Sequence, residues 1–185
     1  MITSYKQLKD YLMYEKRLYF PNRNDYFEYM MCREPLYFIW KYTSYLRKCE
    51  YYHYSYKHGH LLSMLPWCFY RVKKNRMGIK LGIEIGDFAV GKGLHIWHAG
   101  AIVINGGSSI GDNCCIHGAV CIGNNGKDLT KCPCIGNNVN IGVGAYIIGD
   151  VHIADNCKIG AGAIVVKSVY EEGKTILSNS AQIKK

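Results

Sequence analysis

The sequence IGNNVNIGVGAYIIGDVHIADNCKIGAGAIV, from Ile135 to Val165, has an aliphatic residue at every sixth position. A second series with the same step contains Ile104, Ile110, Ile116 and Ile122. A six-residue period fits neither the turn of an α-helix nor the two-residue alternation of a simple strand. Short hexapeptide repeats are typical of a parallel β-helix, in which each repeat forms one flat face of a coil.

The repeat region extends on both sides of this stretch and is interrupted twice. Upstream, the step continues through Val90, Ile96 and Ile102, and the phase then slips by two residues. Downstream, the polar segment 123–134 predicts a loop pushed out of one coil. Because three faces make a coil of about 18 residues, residues 77–169 predict a β-helix of about five coils. Residues 170–185 carry no period and are predicted to form a C-terminal tail.

Residues 1–76 differ in composition from the repeat region and predict a helical cap. They hold 14 of the 16 Tyr residues and only one of the 20 Gly residues. Apolar residues at helical spacing predict helices over 4–20, 25–32, 37–56 and 61–74. Such a cap covers one end of a β-helix, where the terminal coil otherwise exposes unpaired backbone groups.

The cap is basic and carries nearly all of the net charge of +9, with 14 Lys and Arg against 6 Asp and Glu. Three interpretations stay open: a solvated face, attraction to anionic substrates or lipid headgroups, and nucleic-acid binding. We expect no nucleic-acid partner, because no recognised binding motif accompanies the charge. A peripheral membrane contact through the basic cap stays open. The residues concerned are Arg47, Lys48, Arg71, Lys73, Lys74 and Arg76.

The cysteine pattern and the hydropathy predict a cytoplasmic protein. The chain has nine cysteines, an odd number, and Cys114 and Cys115 are adjacent, which suits a disulfide framework poorly. Thiols in a reducing compartment behave as small buried hydrophobes. No N-terminal segment reads as a signal peptide, and no run reaches the roughly 20 apolar residues of a membrane span.

His98, within GLHIWHAGAIVI (residues 93–104), is the first candidate for chemistry, because it lies where the repeat phase slips. A neutral imidazole there can accept a proton from a substrate hydroxyl near neutral pH. Spacing alone favours a structural histidine at this position. His117 follows about one coil later, which predicts that it lies near His98. His95 and His152 are expected to be structural.

The loop 123–134 is the second candidate. Lys127 and Lys131 can meet phosphates, and Cys132 can reach a neighbouring active site. The sequence Cys132-Pro133-Cys134 also allows zinc binding. We predict no metal, because no second cysteine pair with ligand spacing accompanies it.

Two blocks of the repeat region carry a resemblance to a known family. They are AIVINGGSSIGDNCCIHGAVCIGNNGK at 101–127 and, after a loop ending at Cys132-Pro133, IGNNVNIGVGAYIIGDVHIADNCKIGAGAIVV at 135–166. With these blocks, segment 79–169 resembles the left-handed β-helix (hexapeptide-repeat) acyltransferases, in their serine acetyltransferase-like branch. The resemblance covers about half of the chain. It implies a mainly β fold, a left-handed parallel β-helix with an N-terminal α-helical cap.

The resemblance also implies a cosubstrate, acetyl-CoA, and roles for individual residues. His98 falls on the catalytic position, the general base for the acceptor hydroxyl. Trp97 stands where the serine enzymes usually have an acidic residue, and the pair Lys131-Cys132 replaces their Arg-His pair. The implied acceptor-binding residues are Trp97, Lys131, Cys132 and His117. The implied cofactor-binding residues are Asn124, Val143 and Ala161 along the pantetheine arm, with Lys158 and Lys167 at the CoA phosphates.

The cap, with LRKCEYY at 46–52, resembles the short acetyltransferase-like proteins of capsular and exopolysaccharide gene clusters. That resemblance implies an O-acetyltransferase that acts on a sugar or a polysaccharide precursor. It also implies a homotrimer, with CoA between neighbouring β-helices. Serine O-acetylation is the main alternative. A metal-dependent lyase of the carbonic-anhydrase kind and a non-catalytic scaffold are the others.

Overall fold

The computed structural model describes residues 1–22 and 24–178, which form a helical cap followed by a left-handed parallel β-helix. The predicted fold class is therefore confirmed. The cap contains α1 (Tyr5–Tyr19), α2 (Asp25–Met31), α3 (Pro35–Lys57), a 3₁₀ turn (Leu61–Ser63) and α4 (Met64–Leu81). The strands are β1 (Ile83–Ile85), β2 (His95–Ile96), β3 (Ile102–Ile104), β4 (Ser109–Ile110), β5 (Cys115–Ile116), β6 (Cys121–Gly123), β7 (Cys134–Ile135), β8 (Asn140–Ile141), β9 (Tyr146–Ile148), β10 (His152–Ile153), β11 (Lys158–Ile159), β12 (Ile164–Val165) and β13 (Thr175–Ile176).

The strands build three parallel sheets, one on each face of the triangular coil. Sheet A has the order β1-β3-β6-β9-β12, sheet B the order β10-β7-β4, and sheet C the order β13-β11-β8-β5-β2. Each coil passes from sheet A to sheet B to sheet C and returns to sheet A. We call the connections from sheet C to sheet A the C–A corner, and those from sheet A to sheet B the A–B corner.

The aliphatic residues of the hexapeptide period fill the interior of the β-helix. Every member of the two series points inward and is buried, which is what the period predicts. Backbone hydrogen bonds join each coil to the next, as from Asn105 N to Ile122 O (2.9 Å) and from Gly142 N to Ile159 O (2.8 Å). Apolar burial and coil-to-coil hydrogen bonding therefore stabilise the same residues.

A column of asparagines turns the chain between sheet B and sheet C. Asn113, Asn138 and Asn156 all have positive φ, at 57°, 56° and 61°. Asparagine tolerates this left-handed conformation better than most residues that carry a side chain. The amide of Asn138 also donates to Asn156 Oδ1 (3.1 Å), so the turns support one another from coil to coil.

The first coil has no coil before it, and side chains of the cap bond the backbone groups at its edge. On sheet A, Ile85 N donates to the hydroxyl of Tyr42 (3.1 Å). On sheet C, Ile96 N donates to the hydroxyl of Tyr19 (2.9 Å). Both tyrosines are buried. The cap therefore ends the β-helix with matched hydrogen bonds, as buried polar groups require.

Arg47 is the centre of this junction and is fully buried. Its guanidinium contacts the carboxylates of Glu15 (2.8 Å) and Glu50 (3.1 Å), and it donates to Val90 O (2.8 Å) and to Gly91 O. Burial acts to lower the pKa of Arg47, but the two carboxylates outweigh it and hold that pKa above its usual value. The junction is thus a buried ion triad that also bonds the backbone of the first coil.

The predicted basic face of the cap is not a single solvated surface. Arg47 and Lys74 are buried, and Lys74 pairs with Asp87 and donates to Ile85 O (3.4 Å). These two cations point inward because the edge of the first coil offers them carbonyl and carboxylate partners. Arg71, Lys73 and Arg76 are exposed.

The predicted boundary at residue 76 falls inside α4, which continues to Leu81. The onset of glycine-rich sequence suggested the boundary, but Gly78 belongs to the helix. A Cβ at Gly78 would lie 2.4 Å from Ile83 O, so glycine is needed where the helix crosses β1. The helix ends at Gly82, which is left-handed at φ 65°. The other predicted helices are present with slightly different ends.

The predicted tail also begins too early. Val169 bridges to Ile153, and Thr175 pairs with Lys158, so the coil continues to β13 without the hexapeptide period. The part of the predicted tail after residue 178 lies outside the described residues.

Among the residues that are described, no helix is long and apolar enough to cross a membrane.

Candidate active site

His98 lies on the C–A corner of the first coil, between β2 and β3. Ile96 and Ile104 pair with Ile116 and Ile122 of the next coil. The connection in the first coil is therefore two residues longer than the one below it. This extra length is the phase slip of the sequence, and it makes the corner bulge outward, with Ala101 at φ 48°. The His98 side chain is exposed on this bulge.

The bulge rests directly on the next coil. A Cβ at Gly118 would lie 3.3 Å from both His98 Cβ and His98 O, so glycine gives His98 the room to lie close. Gly118 has φ 124°, a conformation that a side chain would strain. The position of His98 therefore depends on a glycine one coil away.

Val143 and Ala161 continue the same corner on the following two coils. Gly144 N donates to Gly118 O (3.1 Å), and Gly162 N donates to Val143 O (2.8 Å). Val143 and Ala161 are both exposed. A column of small or short side chains thus leads away from His98 along the C–A corner.

Trp97 and His117 stand beside His98 on the outer surface of sheet C. The indole Nε1 of Trp97 donates to Cys115 Sγ (3.0 Å), and the rings of Trp97 and His117 are nearly parallel, 6.2 Å apart. His117 Nε2 lies 4.0 Å from Cys115 Sγ. Trp97 keeps 44% of its surface exposed. The thiol therefore orients an indole whose remaining surface is open to a ligand.

The groups that support Trp97 are neutral near neutral pH. Burial raises the pKa of the Cys115 thiol, and the indole N–H only partly offsets this. Burial, with a smaller contribution from His117, lowers the pKa of His95. The His95 ring packs edge-on against Tyr19 (4.8 Å between centroids) and beside Trp97 (4.5 Å). His95 therefore connects the helical cap to the aromatic side of the site, as a structural group.

The loop 123–134 leaves the coil at a different corner, the A–B corner. Cys132 Sγ lies 3.6 Å from Asn105 Oδ1, and Lys131 is exposed, with its Nζ 3.9 Å from Asp150. Asn124 starts the loop, and its side chain accepts from Gly126 N (2.9 Å). Lys131 and Cys132 are thus held against the A–B corners of their own chain.

The structure brings together only part of the predicted site. His98, Trp97, His117, Val143 and Ala161 share the C–A corner or the adjoining edge of sheet C. Lys158 is exposed on the outer surface of sheet C. Asn124, Lys131 and Cys132 lie across the full width of sheet A, and the exposed Lys167 follows β12 on that same far side. Within one chain, the loop therefore does not reach His98.

Cys115 is the site residue that sequence reasoning missed. It lies one coil after His95, with which it pairs in register, and its thiol reaches diagonally to the indole of Trp97. The coil period places His117, not Cys115, one coil after Trp97, so the period alone does not reveal this diagonal contact. Within residues 1–22 and 24–178, no group of three His, Cys, Asp or Glu side chains is placed to hold a metal ion. All nine cysteines are free thiols.

Residues 135–167 match the sequence family described as bacterial transferase hexapeptide (six repeats). This segment is therefore similar to the hexapeptide repeats of bacterial transferases. The resemblance of the repeat region to hexapeptide-repeat acyltransferases is therefore confirmed. The matched segment contains Val143 and Ala161 but neither His98 nor the loop.

Curated relatives extend the match beyond that segment. A putative colanic acid biosynthesis acetyltransferase, WcaB, of Escherichia coli K12 is 37% identical over 104 residues, which are 56% of this chain and 64% of that protein. A serine acetyltransferase of Synechococcus elongatus is 39% identical over 90 residues, 48% of this chain and 37% of that protein. The matches thus span from about a third to two thirds of the relatives' lengths.

The fold of almost the whole chain is similar to a solved structure. The serine acetyltransferase of Brucella abortus in complex with coenzyme A is 25% identical, with a TM-score of 0.71. The superposition covers 96% of this chain and 68% of that one. Both the helical cap and the β-helix therefore share the arrangement of that enzyme.

Proposed function

We propose that this protein is an O-acetyltransferase that moves an acetyl group from acetyl-CoA to a hydroxyl of a sugar or polysaccharide precursor. The observation that carries the proposal is the exposed His98 on a bulged corner, beside an oriented indole and above a column of short side chains. The matched transferase repeat, the names of the relatives and the fold shared with a CoA-bound enzyme support the acetyl-CoA part.

The proposed reaction is a direct transfer with His98 as the general base. The neutral imidazole accepts the proton of the acceptor hydroxyl as its oxygen attacks the thioester carbonyl carbon. A backbone N–H stabilises the tetrahedral oxyanion. The carbon–sulfur bond then breaks, and the CoA thiolate takes the proton from His98. The pantetheine arm lies along the C–A corner at Val143 and Ala161. Lys158 of the same chain and Lys167 of a neighbouring copy in the trimer proposed below lie near the phosphates.

A sugar acceptor suits the surroundings of His98. Trp97 presents a large apolar ring surface whose orientation is fixed by Cys115, and such a surface packs well on the C–H face of a pyranose. His117 lies alongside and adds a polar ring. A small zwitterion such as serine offers no apolar face to this indole.

We further propose that the active site is shared between copies of the chain in a homotrimer. Sheet A exposes an apolar column, Val103, Tyr146 and Ile164, on its outer surface. A threefold arrangement that buries sheet A sets the A–B corner of one copy beside the C–A corner of the next. The loop with Asn124, Lys131 and Cys132 then meets His98 of a neighbour, which a single chain does not allow.

The test is the acetyl-CoA-dependent release of thiol with a panel of sugars, sugar nucleotides and lipid-linked glycans. We expect His98→Ala to lower turnover by about 10²–10⁴-fold, the usual contribution of a general base, while the melting temperature is unchanged. His152→Ala is the matched control, since His152 lies on sheet B and stacks on Tyr170 away from the site. Wild-type turnover in His98→Ala contradicts the assignment.

The same assay tests the shared site. Subunits that carry His98→Ala and subunits that carry Lys131→Ala/Cys132→Ala should regain activity when unfolded together and refolded as mixed oligomers. Each variant refolded alone should stay impaired. Failure of the mixture to regain activity contradicts a site built from two chains.

Serine O-acetylation is the second candidate, because several of the curated relatives are named serine acetyltransferases. The two candidates differ at the acceptor alone. L-serine in the thiol-release panel separates them: turnover with serine and none with any glycan favours the second candidate.

A further inference from the structure

Helix α4 has a second apolar face that none of the described residues covers. Leu65, Phe69, Val72 and Ile79 recur at helical spacing and share this face. Their side chains are 69%, 55%, 50% and 84% exposed. The 3₁₀ turn adds Leu61 and Leu62, exposed by 75% and 86%. We call these six residues the outer stripe.

The opposite face of α4 is already occupied. It packs along α3 and against β1, and its Lys74 and Gly78 are buried there. A helix that is apolar on two faces satisfies only one of them by packing into its own domain. An exposed apolar stripe of this length marks a surface that contacts a membrane or another molecule.

The charged residues of α4 and of the chain leading into it all have one sign. The segment from Tyr51 to Ile83 contains six Lys and Arg residues and no Asp or Glu. Arg76 lies within the stripe, and Lys73 and Lys80 lie along one side of it. In the described parts of the chain, no carboxylate lies within ion-pair distance of these three. The Nζ of Lys73 lies over the Phe69 ring (5.4 Å), so a cation and an apolar ring share one surface.

We propose that the outer stripe docks on an anionic lipid surface, with α4 parallel to it. The apolar side chains enter the boundary between headgroups and acyl chains, and Lys73, Arg76 and Lys80 meet the lipid phosphates. Charge complementarity favours this partner over a second copy of the chain. Two copies packed stripe to stripe would bring like charges together, whereas an anionic surface neutralises all three cations at once.

This inference is independent of the proposed chemistry, because lipid binding needs neither His98 nor acetyl-CoA. It also adds a consequence for the acceptor. A protein held at a membrane by its cap works within reach of acceptors that are themselves anchored there. Loss of catalysis would leave the lipid contact intact, and the two proposals therefore fail separately.

The test is co-sedimentation of the full chain with vesicles of phosphatidylcholine mixed with phosphatidylglycerol, compared with pure phosphatidylcholine. We expect binding to the mixed vesicles, weakened by added salt, and little binding to the neutral ones. Lys73→Gln/Arg76→Gln/Lys80→Gln should weaken binding by about a hundredfold, since each cation near an anionic surface contributes about fivefold. The charge-matched control is Lys6→Gln/Lys9→Gln/Arg17→Gln, exposed on α1.

The apolar half of the proposal has its own pair of variants. Leu65→Ser/Phe69→Ser should weaken vesicle binding by about tenfold or more, because it removes the side chains that enter the lipid. Phe27→Ser/Met31→Ser removes two exposed apolar side chains of α2, also in the cap, and should leave binding unchanged. Circular dichroism checks that each variant is folded.

Three results overturn the proposal. One is the absence of binding to the mixed vesicles. Another is equal binding by the stripe variants and their controls. The third is a concentration-dependent oligomer, measured by light scattering without lipid, that Leu65→Ser/Phe69→Ser abolishes; this result assigns the outer stripe to self-association.

Discussion

The cap and the β-helix satisfy the backbone hydrogen-bonding groups at the edge of a coil in different ways. Inside the β-helix, each coil bonds the backbone of the next, and the interior contains aliphatic side chains. At the junction with the cap there is no preceding coil. Buried side chains of Tyr19, Tyr42, Glu15, Glu50 and Arg47 take its place.

This difference decides what each region tolerates. An aliphatic side chain in a coil contributes burial, and its neighbours can partly close around a smaller one. A polar side chain at the junction pairs with a buried donor, acceptor or charge. Removing that side chain leaves its partner buried and unpaired, which costs more free energy than a lost aliphatic contact. We therefore expect the junction, rather than the repeat, to be the more sensitive part of the fold.

Arg47→Met should give the largest effect. It leaves Glu15 and Glu50 buried without their counter-charge and removes the bonds to two carbonyls of the first coil. We expect the free energy of unfolding to fall by about 3–5 kcal/mol, as for other broken buried ion pairs. Urea denaturation measures it. Arg17→Met, at an exposed position of α1, should change it by less than about 0.5 kcal/mol. Equal effects at both positions would show that the junction does not depend on the triad.

Ile141→Ala tests the repeat side of the comparison. Ile141 is fully buried on sheet C in the middle of the β-helix. Its truncation should lower the free energy of unfolding by about 2–5 kcal/mol, from lost burial and the remaining cavity. Leu177→Ala removes a largely exposed leucine of the last coil and should cost less than about 0.5 kcal/mol. A loss at Ile141 that clearly exceeds the loss at Arg47 would reverse the comparison.

The fold could be predicted in outline because the hexapeptide period recurs in each coil. Ile135 to Val165 repeats without a gap, and each member has the same inward environment. The junction has no such repetition. Nothing in the sequence distinguishes Arg47, which is buried, from the neighbouring Lys48, because the distinction depends on where α3 lies relative to the first coil. Helix α4 continues past residue 76 for a related reason: Gly78 meets β1, a contact between distant elements that composition does not show.

The candidate site divides in the same way. The phase slip indicated the His98 corner, because two extra residues in one coil interrupt the six-residue spacing of the aliphatic residues. His117 was found because it lies about one coil further on. Cys115 was missed because its role comes from a lateral contact with Trp97, and cysteine carries no period of its own. The pairing of the loop 123–134 with His98 stays a prediction, because it requires a neighbouring chain.

Of the three substitutions, Tyr19→Phe should lower the free energy of unfolding least. It is also the most specific test of the bonds that the cap makes to the first coil. It removes a single oxygen and leaves Ile96 N buried without a partner, while the ring still packs against His95. Burial raises the pKa of Tyr19 well above its usual value, so the hydroxyl stays neutral at the junction. We expect a loss of about 1–3 kcal/mol in the free energy of unfolding.

Tyr14→Phe is the matched control for that substitution. The hydroxyl of Tyr14 also reaches a coil, at Asn113 Oδ1 (2.8 Å), but in an exposed position where water replaces it. It should therefore cost less than about 0.5 kcal/mol. Hydrogen exchange adds a local readout, since the amide of Ile96 should lose protection in Tyr19→Phe alone. Unchanged protection at Ile96 would mean that the first coil holds its edge without the cap, and the two regions would then be independent.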